Sequence, residues 1–280
     1  MALKLLYITN NPDVARIAQD AGVDRIFVDM EYIGKAARQG GMDTVQCRHT
    51  PADVAALRPV VTRSQLLVRI NPIHEATADY GSSREEIEAV IAAGADILML
   101  PYFKTLDEAR FFCECVAGRA KTMLLVETPE AVAALDELLE IPGVDEIHVG
   151  LNDLSLAHRH KFMFVPLADG TVELIGEKCK AKGIPFGFGG IASLGNGILP
   201  SEYVIREHYR LGSAGAILSR SFCNLRKIAD LDEVQRIFIQ GIRAIRQLEN
   251  ECSQHSPDSE YFTENKQIVA EKIRAICQRA

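Results

Sequence analysis

Apolar positions along the chain fall into two alternating textures. Short, nearly continuous apolar runs recur at Lys4–Ile8, Arg25–Asp29, Leu66–Ile70, Ile97–Leu100, Thr122–Val126, Glu146–Val149, Pro185–Phe188 and Gly215–Leu218. A run that is apolar throughout, rather than at every second residue, marks a parallel strand covered on both faces. Between these runs lie helix-period segments with recognisable ends. Pro12–Ala21 stops at Gly22 and Ser83–Ala93 at Gly94, as helices that close on a left-handed glycine do. Thr105 with Glu108 three positions on spells a capping box, and Pro129 precedes a helical Ala131–Leu139. Eight strand–helix repeats predict an α/β chain folded as a (β/α)8 TIM barrel over residues 1–230. A dinucleotide-binding sheet is disfavoured, since no G-x-G-x-x-G follows the first strand. Residues 231–280 predict extra C-terminal helices, Leu231–Glu249 and Asn265–Gln278, that close the barrel or pack on a neighbouring subunit.

Composition narrows the partners. The 280 residues are 48% hydrophobic, with a net charge of −7 and no clustered basic face, so a nucleic-acid partner is not expected. No apolar run is long enough to span a bilayer, and the N-terminal one is too short for a signal peptide; a soluble, cytoplasmic protein with no membrane partner is expected. The seven cysteines include no C-x-x-C pair. They read as reduced thiols that pack as small hydrophobes, not as a zinc site.

In such barrels chemistry sits at the carboxyl ends of the strands. There the sequence places Asp29, Glu31 and Tyr32 after the second strand, Arg69 and Asn71 after the third, Glu127 after the fifth, and Asn152 and Asp153 after the sixth. Taken singly, each acid could serve as a helix N-cap or solvate a loop. Four carboxylates and one arginine on one mouth instead suggest a divalent cation relieving their repulsion. An all-oxygen donor set selects a hard ion, Mg²⁺ or Mn²⁺. Arg69 brings a planar cationic fork suited to a carboxylate or a developing enolate, so the expected substrate is an anionic keto acid. His148, inside the sixth strand, reads as a barrel-wall residue. His158 and His160 read as solvated or as a grip on an anionic tail, and Phe162 and Phe164 as a lid or interface pair. Gly187, Gly189 and Gly190 read as a close backbone approach rather than a phosphate-cradling loop. Leu156–Gly170 and Gly34–Thr50 are the candidate specificity loops.

The run LLVETPEAVAALDELLEIPGVDEIHVGLNDLSLA, with IFVDMEY, LLVRINP and AGADILMLPYFKTLDEAR, resembles the HpcH/HpaI aldolase and citrate lyase superfamily over roughly residues 4 to 222. The resemblance implies a metal-dependent carbon–carbon lyase, often a trimer or hexamer. By it, Glu127 and Asp153 ligate Mg²⁺ or Mn²⁺, and Arg69 steadies the enolate. Leu151, Asn152 and Pro101 help seat the carboxylate, with Asp29 and Glu31 in support. The family's aldolases carry a histidine after the D-x-E of strand two, where this chain has Tyr32. The citrate-lyase-like branch lacks that histidine, and Val68–Asn71 leans that way.

The expected reaction is retro-aldol cleavage, or aldol condensation, on a keto or hydroxy-keto acid through a pyruvate-type enolate. A base must take the proton of the departing hydroxyl; the candidates are a metal-bound hydroxide, Tyr32 and His74. Two other readings stay open at this point: an acyl-thioester (coenzyme A) lyase or synthase, and an inactive barrel that binds metal and keto acid without turnover.

Overall fold

A computed structural model describes residues 2–35 and 47–279. Eight parallel strands close into a barrel in sequence order: β1 (Lys4–Ile8), β2 (Arg25–Asp29), β3 (Gln65–Arg69), β4 (Ile97–Leu100), β5 (Lys121–Val126), β6 (Glu146–Val149), β7 (Phe186–Ile191) and β8 (Gly215–Leu218). Around it run α1 (Pro12–Asp20), α2 (Pro51–Leu57), α3 (Ser83–Ala92), α4 (Leu106–Val116), α5 (Pro129–Ala133), α6 (Leu135–Leu138), α7 (Leu151–Ala157), α8 (Val165–Ala168), α9 (Thr171–Ala181) and α10 (Ser201–Leu211). Then follow α11 (Leu231–Cys252) and α12 (Glu260–Arg279).

The helices begin where their capping chemistry dictates. The Asn11 side chain accepts from the Asp13 and Val14 amides at the head of α1. Ser82 with Glu85 and Thr105 with Glu108 form full capping boxes on α3 and α4. Each cap satisfies amides that the helix itself leaves unpaired. The expected helix over Ala131–Leu139 is two short helices, α5 and α6, meeting at Ala134.

β7 departs further from expectation. It runs past the expected end at Phe188 to Ile191, so Gly189 and Gly190 are strand residues along with Gly187. A Cβ at Gly187 would stand 2.5 Å from the Gly215 carbonyl oxygen and 2.9 Å from His148 Nδ1. No side chain fits where strand and imidazole approach so closely, which is the close-approach reading.

The apolar core has two compartments. A large cluster lies between sheet and helices, and α11 and α12 share it through Phe238, Ile245, Phe262 and Val269. A smaller one fills the barrel itself with Leu6, Phe27, Leu67, Ile97, Met99, Met123 and Leu125. The C-terminal helices pack on their own chain: α11 against α1 and α10, and α12 against α10 and α8. Asn265 of α12 donates to Glu207 at 2.8 Å, and Glu249 of α11 accepts the Leu3 amide at 2.6 Å.

Below the interior cluster, the Arg25 guanidinium at the start of β2 crosses to Glu146 at the start of β6. Nη1 donates to Oε2 at 2.7 Å and Nη2 to Oε1 at 2.5 Å, both side chains being buried. Removing one partner of such a pair strands a charge, whereas replacing both with apolar groups is often neutral. Glu146→Leu is therefore expected to cost about 3 kcal/mol or more of stability, and Arg25→Met added to it to return most of the loss. Urea unfolding of the two variants checks this, and a double variant no more stable than Glu146→Leu would contradict it.

Candidate active site

A cavity of about 510 Å³ opens at the carboxyl end of the barrel. Glu127 and Asp153 both line it, at 4% and 6% exposure. The β5–β6 register pairs Leu125 with His148 and Val126 with Val149, so Glu127 stands beside Gly150. A Cβ at Gly150 would fall 2.5 Å from Glu127 Oε2; glycine there makes room for the carboxylate. Tyr102 holds a left-handed backbone (φ 48°) and donates its amide to Glu127 Oε1 at 3.0 Å. Non-glycine residues rarely adopt that conformation except where the surroundings enforce it. Asp153 enters from α7, where Asn152 Nδ2 donates to Asp153 Oδ1 at 3.2 Å.

The β2–β3 side carries the other charges. Arg69 Nε and Nη2 donate to the two oxygens of Asp29, each at 2.8 Å, the bidentate fit of guanidinium to carboxylate. Arg69 Nη1 also lies 3.3 Å from Glu31 Oε2, and Lys35 Nζ lies 3.3 Å from Asp29 and 3.2 Å from Glu31. Two acids thus meet two cations in a buried square. Among the described residues the four carboxylates of the mouth take two stations: Asp29 and Glu31 hold Arg69 and Lys35, with Asp29 also lining the cavity, while Glu127, whose charge acts on Arg69 too, and Asp153 line it from the β5–β6 side.

The remaining sequence-predicted residues separate in the same way. Leu151 and Asn152 line the cavity, whereas Pro101, Glu31 and Tyr32 are not among the lining residues. Tyr32 is 43% exposed, with its ring edge-on to Tyr80. Partial burial and then Glu86 raise the pKa of its phenol. His74 is tied into the loop after β3, its ring nitrogens 2.7 Å from the Pro72 carbonyl and 3.0 Å from that of Gly81. His158 and His160 stack on each other outside the cavity lining. Phe162 and Phe164 belong to the buried core, while Met163 between them lines the cavity. His148, read as wall, does line the cavity, and burial lowers it to about 4, so it is a neutral imidazole. Of the loop Gly34–Thr50, residues 36–46 lie outside the described residues. Its end, however, delivers Cys47 and His49 to the cavity.

Two buried carboxylates on adjacent strand ends, facing one cavity, fit a hard divalent cation. Among the described residues no third His, Cys, Asp or Glu gathers with them into a metal cage.

This arrangement agrees with what the chain is related to. The HpcH/HpaI aldolase/citrate lyase family pattern matches residues 4–165, more than half the chain. The chain belongs to that family. Family membership points to a lyase-type enzyme, and the family is generally dependent on a divalent metal. The fold is that of a family protein from Burkholderia cenocepacia J2315, 17% identical, with 83% of this chain and 94% of that one covered and a TM-score of 0.63. It is also that of the citrate synthase SbnG, 16% identical, with 84% and 94% covered and a TM-score of 0.60. A curated pyruvate kinase of Methylorubrum extorquens is 36% identical over 73 residues, 26% of this chain, and the chain spans only 15% of that enzyme. Among the described residues, no helix is long and apolar enough to cross a membrane.

The Asp29 clamp has a titration signature. Burial alone would raise its carboxyl, but the Arg69 charge and hydrogen bonds, with Lys35 and the Glu31 amide, outweigh it and hold the group at about 2. A depressed carboxyl stabilises the fold fully above its ordinary value of 3.8 and loses that contribution as pH falls through about 2. The melting-temperature gap between wild type and Asp29→Asn is accordingly expected to be constant from about pH 7 to 5 and to narrow between about pH 4 and 2. A gap that stays level down to pH 2 would contradict the assignment.

Proposed function

We propose that this protein is a divalent-metal-dependent carbon–carbon lyase acting on a keto or hydroxy-keto acid through a pyruvate-type enolate, by retro-aldol cleavage or the reverse condensation. The observation that carries this reading is the pairing of buried Glu127 and Asp153 at adjacent strand ends, in one cavity with an Arg69 held in place by Asp29. A Mg²⁺ or Mn²⁺ ion held by Glu127 and Asp153 would act as a Lewis acid on the substrate's keto oxygen.

The chain's own groups do the rest. Leu151 and Asn152 line the wall beside the two acids and seat the keto-acid end. Arg69 reaches the cavity already oriented by two hydrogen bonds, so its charge is in place for an enolate oxygen without reorganisation when the charge develops. Asp29 and Glu31 act through Arg69 as positioning residues. The cavity volume exceeds what a three-carbon acid needs, which leaves room for the fragment that departs or arrives. In keeping with the family resemblance, the reading takes the enzyme to be a cytoplasmic homo-oligomer, a trimer or hexamer, with a small-molecule substrate.

Two experiments test the reading. Electron paramagnetic resonance of added Mn²⁺ should show a bound ion whose spectrum changes with oxalate, and Glu127→Gln should lose it. Wild type that binds no manganese would overturn the proposal. Tyr32→Phe should leave turnover within about 2-fold of wild type, because the phenol lies outside the cavity lining; a loss of about 100-fold, the low end for a catalytic proton-transfer group, would return it to the mechanism.

A further inference from the structure

His49 reaches the cavity with its tautomer set by the backbone. The Asp29 amide at the end of β2 donates to His49 Nδ1 at 3.1 Å. A backbone N–H can only donate, so Nδ1 is the lone-pair nitrogen and Nε2 carries the proton. Burial lowers the ring's pKa and outweighs the pull of Asp29 and Asp53, so the imidazole is neutral at neutral pH. The ring lines the cavity. It therefore offers a hydrogen-bond donor to whatever binds there, and it cannot serve as a base while the Asp29 amide occupies Nδ1.

Its place on the barrel says which part of the substrate it meets. In the closed ring of eight strands, β2 stands three strands from β5 and four from β6. His49 thus lines the mouth on the side away from Glu127 and Asp153, where the second fragment of a keto acid held at those carboxylates would have room. We propose that His49 is a catalytic residue whose Nε2–H binds the oxygen of the second carbonyl compound and stabilises it as negative charge develops. This rests on the lyase reading above. In the condensing direction, the enolate carbon's electron pair forms the new carbon–carbon bond and the carbonyl π pair moves to oxygen. That alkoxide then takes a proton from water to become a hydroxyl. Cleavage runs the same steps backwards. Throughout, His49 keeps its own proton and donates to that oxygen; a neutral imidazole is a sufficient donor for such a charge.

The assignment separates two half-reactions. Exchange of pyruvate methyl protons with deuterium needs the enolate but no second carbonyl, whereas condensation of pyruvate with glycolaldehyde needs both. His49→Ala should exchange within about 2-fold of wild type and condense about 100-fold more slowly, the typical loss of one oxyanion donor; His49→Asn, which keeps an N–H, should recover part of that loss. Long-range ¹H–¹⁵N spectra of the metal-free protein, assigned with His49→Asn, should show a neutral Nε2–H ring at pH 7. A ring protonated on Nδ1, equal loss of both half-reactions, or wild type that exchanges but does not condense overturns the proposal. Wild type that neither exchanges nor binds Mn²⁺ overturns the lyase reading and, with it, the role given to His49, whatever tautomer the spectra show.

Discussion

The bidentate contact between Arg69 and Asp29 is the constraint around which the mouth of this barrel is organised. Asp29 ends β2 and Arg69 ends β3, directly paired in the sheet, so their side chains meet above the interior cluster without strain on the backbone. Each alone would be a costly buried charge. Together, and with Glu31 and Lys35 completing the square, they form a near-neutral block. That block fixes a guanidinium at the rim of the cavity. Its backbone contributes as well, since the Asp29 amide orients His49.

The opposite wall is built on a different principle. There the backbone makes room for Glu127: a glycine at 150 leaves space for it, and the left-handed Tyr102 turns an amide toward it, while the Arg69 charge also acts on that carboxylate. The lining thus sets the paired Asp29 and Arg69, with Lys35 and His49, on the β2–β3 side and Glu127 and Asp153 on the β5–β6 side. Under the proposed reading, a keto acid and its partner carbonyl would lie between these two walls.

Beneath the mouth, Arg25 and Glu146 repeat the same logic of a buried pair spanning the barrel, here outside the lining of the cavity. The contrast is instructive about charge inside folds. The Arg25–Glu146 pair lies away from the cavity, whereas the same residue types at the other end, Arg69 and Asp29, line it. Burial and pairing alone do not distinguish them, and access does.

Much of this was legible in the linear chain. The run-and-period texture, caps such as Ser82–Glu85 and Thr105–Glu108, and the glycines after α1 and α3 are local signals. They fix the strands and most helix starts because parallel strands and helix termini have their own residue chemistry. The strand-end rule likewise located Glu127, Asp153 and Arg69 at the mouth. What the chain alone left undecided was which charges pair and which side chains turn into the cavity. Asp29 and Glu31 look like Glu127 and Asp153 in sequence, yet the first two are clamped by cations supplied by β3 and by the segment after β2, and of that pair Asp29 alone joins Glu127 and Asp153 in the cavity lining. Tyr32 is adjacent to the acids in sequence but turns outward, and His49, eighteen positions past Glu31, turns inward through an amide contact. Such outcomes depend on distances across the closed barrel, between residues far apart in the chain, and no local pattern encodes them.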